Sequence, residues 1–218
     1  MSGYFDVHRG DWDAIYSARV GSLRWKMNRR FRKAVLGRMA FTLEAFSDIA
    51  GHTVLDVGCG TGELGIRLAE QGAARVVGID SAAEMVRTAT EHAGRRGVAG
   101  KCTFIHGDFM THRFDGPFTY TAALGVMDYV ADAAAFLHRM WSLTERRMSV
   151  SFPQSVPPRS WMRRVWHGLH GSKIHYYDGS DLERLPAGLS PVHTRVHTMP
   201  GSDRTHVLVC DKQAVPVG

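Results

Sequence analysis

The sequence is poor in cysteine and has no apolar stretch long enough to cross a membrane. Its three cysteines, Cys59, Cys102 and Cys210, are odd in number and widely spaced. That argues against a disulfide framework, and no residues stand at convincing metal-ligand spacing, so no metal is expected. A bilayer span needs roughly 18 to 20 consecutive apolar residues, which occur nowhere in the chain. The opening MSGYFDVHRGDWDAIY is polar and aromatic and has no signal-peptide core, so the expected location is the cytoplasm. Internal repeats and low-complexity segments are also missing. Acidic residues are fewer than basic ones, 21 against 27, giving a formal charge of +6 and a pI near 9.5. A basic balance suits a nucleic acid, an anionic membrane or an acidic partner protein, but solubility alone also accounts for it. With 218 residues, 44% of them hydrophobic, the simplest expectation is one large α/β domain.

Along the chain, Met27, Phe31, Val35, Met39, Leu43 and Phe46 recur at helical spacing, with Arg29, Arg30, Arg32, Lys33 and Arg38 largely off that face. HTVLDVG then reads as a strand and GELGIRLAEQGA as a helix. ARVVGID is a second strand, followed by a helix in SAAEMVRTATEHAGRRG with Ser81 as N-cap and Glu84 at capping-box spacing. KCTFIHGD, FTYTAALGV and RMSVSFP continue the strands, the last two separated by the helix DAAAFLHRMWSLT. Strands alternating with helices predict a mostly parallel sheet covered on both faces. From Pro153 to Gly179 the pattern breaks into a stretch rich in proline, tryptophan and cations. SPVHTRVHTMP and RTHVLVCDK then read as a closing pair, antiparallel through a turn at Pro200-Gly201.

The stretch VLDVGCGTGELG can be read in two registers. Gly60-Thr-Gly62-Glu-Leu-Gly65 fits the dinucleotide pattern G-x-G-x-x-G, whereas Asp56 followed by Gly58-Cys-Gly60-Thr-Gly62 fits an S-adenosylmethionine (SAM) loop. In both, a strand ends, the backbone turns where side chains would clash, and a helix N-terminus presents free N–H groups to a ligand. Other positions decide between them. Asp56 lies inside the strand, where a carboxylate is costly unless it meets a cation or several donors. The ammonium of SAM would supply one. Asp80 ends the second strand, about twenty residues after the glycines, where it can accept from both ribose hydroxyls. At the third strand end, Asp108 can accept from an adenine amino group and Phe109 can lie against the ring. An acidic residue with an apolar neighbour is not part of the dinucleotide pattern there.

With these residues in place the chain resembles the class I SAM-dependent methyltransferases, through VLDVGCGTG, VVGID, HGDFM and LGVMDYVAD. The resemblance implies a Rossmann-like α/β fold: a mostly parallel seven-stranded sheet with its last strand antiparallel, an N-terminal helical lid over residues 1–46 and a cap inserted at about 153–179. It implies SAM as cofactor and S-adenosyl-L-homocysteine as product. Asp56, Gly58, Gly60 and Gly62 would hold the methionine end, Asp80 the ribose, and Asp108 and Phe109 the adenine, with Leu124 and Gly125 at the fourth strand end. Cys59, a small filler in the loop and not a nucleophile, joins Thr61, Ser81 and Met85 among the remaining cofactor-binding positions. Family members often carry a His pair after that strand. Here Asp128 and Tyr129 stand there, so Tyr129 is expected to line the acceptor pocket and Asp128 to act as base. His106 and His112 are further candidate bases. YFD…WDAIY and LTERRMSVSFP are faintly similar to the magnesium-protoporphyrin carboxyl methyltransferases, while ALGVMDYVAD departs from them.

Methyl transfer from a sulfonium needs the donor and acceptor held in line and water excluded, so strong catalytic residues are not required. The acceptor is expected to be a small molecule, flat or anionic, met by Tyr4, Tyr16, Tyr129, Trp161, Trp166 and Tyr176. Arg159, Arg163, Arg164 and Lys173 would supply cations beside Val165 and Leu169. Competing readings are methylation of RNA, protein or a carrier-bound substrate, and a SAM-binding partner protein without turnover. No Asp-Pro-Pro-Tyr motif, Pro-Cys nucleophile or RNA-binding module supports nucleic acid as the partner.

Overall fold

The computed structural model describes residues 35–155, 174–199 and 205–212. Helix α1, residues 35–45, precedes β1 (Thr53–Val57), α2 (Glu63–Glu70), β2 (Arg75–Asp80), α3 (Ala83–Arg95), β3 (Cys102–His106) and β4 (Phe118–Ala123). A short 3₁₀ turn (Met127–Tyr129), α4 (Ala133–Ser142), β5 (Thr144–Pro153), α5 (Gly179–Ala187), β6 (His193–Thr198) and β7 (Thr205–Asp211) complete it. The strands form one seven-stranded sheet in the order β3-β2-β1-β4-β5-β7-β6. β1 to β5 run parallel, and β7 lies antiparallel between β5 and β6. This is the Rossmann-like arrangement expected from the sequence. Among the described residues no helix is long and apolar enough to cross a membrane.

Central parallel strands are covered on both faces, which is why they read as nearly continuous apolar runs. Leu55, Val57, Val77 and Ile79 pack with Phe136, Leu137 and Met140 of α4 on one side. Val54, Val76 and Tyr120 pack with Met39, Phe46, Leu64 and Leu68 on the other. Because side chains alternate along a strand, Asp56 shares the second face with Val54. Because β1 to β5 run parallel, their carboxyl ends lie at one edge, where the loops after β1, β2, β3 and β4 meet.

Several elements differ from the sequence reading. Ser81 does not cap α3: the N-cap is Ala82, whose N–H is taken by Asp80 Oδ1 at 2.9 Å. β4 stops at Ala123, since Gly125 turns to φ +81°. β5 begins earlier, at Thr144. α5 was not anticipated; Asp178 caps it by accepting from the Ser180 and Asp181 N–H groups, and Pro186 falls in its last turn. The turn at Pro200-Gly201 lies outside the described residues, as do residues 156–173 of the cap expected at 153–179 and residues 1–34 of the lid expected over 1–46.

α1 is fastened to the sheet by polar ties, the first of them buried. Thr42 Oγ1 and Ser149 Oγ share a 2.9 Å hydrogen bond, and Tyr120 donates to Asp48 at 2.7 Å just beyond the helix. Arg147, buried in β5, pairs with Asp211 of β7 and also donates to the Ala45 carbonyl at the end of α1. Arg147→Met would leave Asp211 buried with Arg195, 3.7 Å away, as its one counter-charge among the described residues. The expected cost is about 3 kcal/mol in urea unfolding, because removing one partner strands the other charge.

Candidate active site

At the sheet's carboxyl edge the loop after β1 is stitched to the end of β2. The Gly58 and Cys59 N–H groups both donate to the Ile79 carbonyl, at 2.8 and 3.2 Å. Gly60 N–H donates to Asp80 Oδ2 at 2.8 Å. Gly58 has φ +66°, and a Cβ there would come within 2.2 Å of Val126 Cγ2. Gly58→Ala is therefore expected to lower stability by about 1 to 2 kcal/mol from the left-handed backbone alone, plus the displacement of Val126, read as a lower urea midpoint.

A cavity of about 540 Å³ opens over this loop. Asp56, Gly58, Cys59, Gly60, Thr61, Asp80, Ser81, Met85, Asp108, Phe109, Leu124, Gly125 and Tyr129, all singled out in the sequence, line it. Gly62 does not; it faces inward, where a Cβ would meet Phe104 and Ala89 within 3 Å, so its bareness serves the packing of α2 and α3. Asp128 does not line the cavity either, although its carbonyl accepts from His175 N–H at 2.9 Å. Of the three residues of the 3₁₀ turn, Met127 is buried in the core and Tyr129 lines the cavity. Tyr176 lies outside the lining. So do His106, whose ring meets the Ser81 carbonyl at 3.2 Å, and His112, whose ring packs against Phe114. Tyr4, Tyr16, Trp161 and Trp166 lie outside the described residues.

The electrostatics of the floor are unusual. Asp56 is 3% exposed and its Oδ2 has no hydrogen-bond partner among the described residues. Burial, then the Asp80 charge nearby, raise its pKa to about 7, partly opposed by the Gly65 N–H. Burial also raises the Asp80 pKa, against the N–H donors of Ala82 and Gly60. The Cys59 thiol is pushed well up by burial and the two carboxylates, so it is a buried filler and not a nucleophile. Asp108 is exposed, its Oδ1 accepting from Met110 N–H at 2.8 Å. Phe109 is held by the core: its ring lies 5.0 Å from Phe136, with the Arg139 guanidinium 5.2 Å above it. Met110, 41% exposed, is the apolar side chain at this end of the cavity that is free to meet a flat ring.

The structure adds residues that sequence reading passed over. Val35, Arg38 and Met39 bring one face of α1 into the cavity wall, and Val126, Val130, Ala131, Asp132 and Phe136 close the side nearest Tyr129. Arg38 was counted off the apolar face. It stands one turn from Val35 and Thr42, and its guanidinium lies directly over Gly125.

A buried carboxylate aimed at a cavity calls for a cation, and two further carboxylates at neighbouring strand ends suit a nucleoside. The fold and this set of carboxylates are those of a Rossmann-like α/β protein suited to a nucleoside cofactor. Residues 54–146 match the family described as the methyltransferase domain. The chain is 31% identical over 191 residues to the ubiquinone biosynthesis O-methyltransferase of Neisseria meningitidis, covering 79% of this chain and 78% of that one. A shorter stretch of 54 residues is 50% identical to the ribosomal protein L11 methyltransferase of Aeromonas salmonicida, spanning 25% of this chain and only 18% of that protein. In structure it is similar to magnesium protoporphyrin IX methyltransferase from Synechocystis with bound S-adenosylhomocysteine, with a TM-score of 0.78 and 23% identity over 97% of this chain and 98% of the other. The chain belongs to the class I SAM-dependent methyltransferases.

Proposed function

We propose that this chain transfers the methyl group of SAM to a small-molecule acceptor at oxygen or nitrogen. The observation that carries the reading is the set of three carboxylates, Asp56, Asp80 and Asp108, opening from adjacent strand ends into one cavity whose far side is apolar. The names of two relatives, for ubiquinone biosynthesis and for magnesium protoporphyrin IX, point to small molecules.

The residues fit the cofactor along its length. Asp80 would accept from the ribose hydroxyls, Asp108 from the adenine amino group, and Met110 would cover the ring. Asp56 would receive the ammonium and Arg38 the carboxylate of the methionine end, while Gly58, Gly60, Leu124 and Gly125 let the backbone approach. Cys59, Thr61, Ser81 and Met85 would fill the remaining contacts. When bound, SAM supplies an electrophilic methyl whose transfer discharges the sulfonium. The chain's task is then orientation and exclusion of water. Val35, Met39, Val126 and Val130 give the acceptor a dry wall, and Tyr129 offers it a hydroxyl to orient the attacking atom.

The test is transfer of labelled methyl from SAM to panels of small phenols, amines and carboxylic acids, with total RNA and a soluble protein extract in parallel. Labelling of small acceptors with little dependence on salt is expected. Labelling confined to RNA or protein, with transfer falling steeply as salt rises, would overturn the reading, since polyanion binding releases counterions.

A further inference from the structure

Two serines interrupt the apolar course of β5. Ser149 and Ser151 are 0% and 1% exposed, and residues two apart on a strand share a face. That face is the one turned to α1, because their cross-strand partners Val209 and Val207 pack with Phe41 and Ala45. A buried hydroxyl is costly without a partner, and each serine has one that matters. Ser149 holds Thr42 of α1 at 2.9 Å. Ser151 Oγ accepts the N–H of Gly125 at 2.8 Å.

Thr42 lies one helical turn beyond Arg38, so the two project from the same side of α1. Gly125 is left-handed at φ +81°, and a Cβ there would lie 2.6 Å from Arg38 Nη2. One serine therefore fixes the helix that carries the guanidinium. The other fixes the loop on which the guanidinium rests.

We propose that Ser149 and Ser151 are positioning residues that set the contact between Arg38 and Gly125, and through it the cavity's grip on the amino-acid end of the cofactor. The inference rests on the reading of the cavity as a SAM site with Arg38 facing the carboxylate. It assigns a function to polar groups that would otherwise only weaken an apolar strand. No group acts chemically in it; the serines act through Arg38 alone.

The experiment is calorimetric titration with two probes, S-adenosylhomocysteine and 5′-methylthioadenosine, the second keeping the adenosine and thioether but lacking the amino acid. Ser149→Ala and Ser151→Ala should each weaken S-adenosylhomocysteine by roughly tenfold and leave methylthioadenosine within about twofold. Thr42→Val, which removes the hydroxyl from the other side at similar shape, should reproduce Ser149→Ala. Added to Arg38→Ala, either serine variant should cost nothing more, since residues acting through one partner are not additive. Equal losses for both probes, or full additivity with Arg38→Ala, would overturn the inference while the cofactor reading stands. Failure of the unaltered chain to bind either probe would overturn that reading and the inference with it.

Discussion

Asp80→Ala is expected to weaken binding of S-adenosylhomocysteine by more than about a hundredfold, since two hydrogen bonds to a charged acceptor contribute roughly 1.5 to 3 kcal/mol each. The carboxylate has two jobs. Both its oxygens already accept backbone N–H groups, Oδ2 from Gly60 and Oδ1 from Ala82. It thus fixes the glycine loop and the start of α3 before any ligand arrives, and its remaining lone pairs are left for the ribose hydroxyls. Asp80→Asn separates these jobs, because the amide keeps one acceptor oxygen and loses the charge. It should fall between the wild type and the alanine variant. Calorimetric titration measures all three proteins. Affinity unchanged in Asp80→Ala would remove the ribose assignment.

The second large effect is on stability against pH. Asp56 has a folded pKa of about 7 against an ordinary value of 3.8. Below about pH 4 the group is protonated in both states and contributes nothing. As pH rises from 4 to 7 the unfolded chain ionises while the folded chain does not, so the unfolded state gains. Above 7 both are ionised and the penalty is constant. The ligand-free protein should therefore lose on the order of 3 to 4 kcal/mol across this window relative to Asp56→Asn, whose amide does not titrate. Asp80, also raised, pushes in the same direction, which is why the comparison must be made within the variant pair. Urea unfolding at pH 4, 5, 6, 7 and 8 measures it. A difference between the two proteins that does not change with pH would contradict the burial of an ionisable Asp56. An ammonium beside Asp56 favours its charged form, so saturating S-adenosylhomocysteine should flatten the slope.

The sheet was legible because its inner strands are short apolar runs closed by glycine or aspartate, and because the helices between them keep a helical period. What misled the reading was local competition. ALGV looked like the end of a strand, but Gly125 takes a left-handed turn there. Ser81 stood at a cap position, but the carboxylate of Asp80 reaches Ala82 first. α5 is polar on its surface and carries Pro186, so its period was weak, and the Asp178 cap was its one clear mark. In the site, the three carboxylates were legible because Asp56 stands within β1 before the glycines, Asp80 ends β2 and Asp108 follows β3, all toward the carboxyl edge of a parallel sheet. Arg38 was not, since nothing in a helical wheel says that a cation beside an apolar face will look into a cavity assembled from four strands away. Phe109 keeps its place in the cavity wall with its ring packed against Phe136, while Met110 beside it, 41% exposed, carried no signal in the sequence.

The central claim is that the glycine loop serves SAM and not a dinucleotide. Calorimetric titration of the purified protein with S-adenosylhomocysteine, with NADH titrated in parallel, tests it most directly. Micromolar binding of S-adenosylhomocysteine with no heat from NADH is the predicted result. Binding of NADH alone would contradict the account and leave the buried Asp56 without its cation.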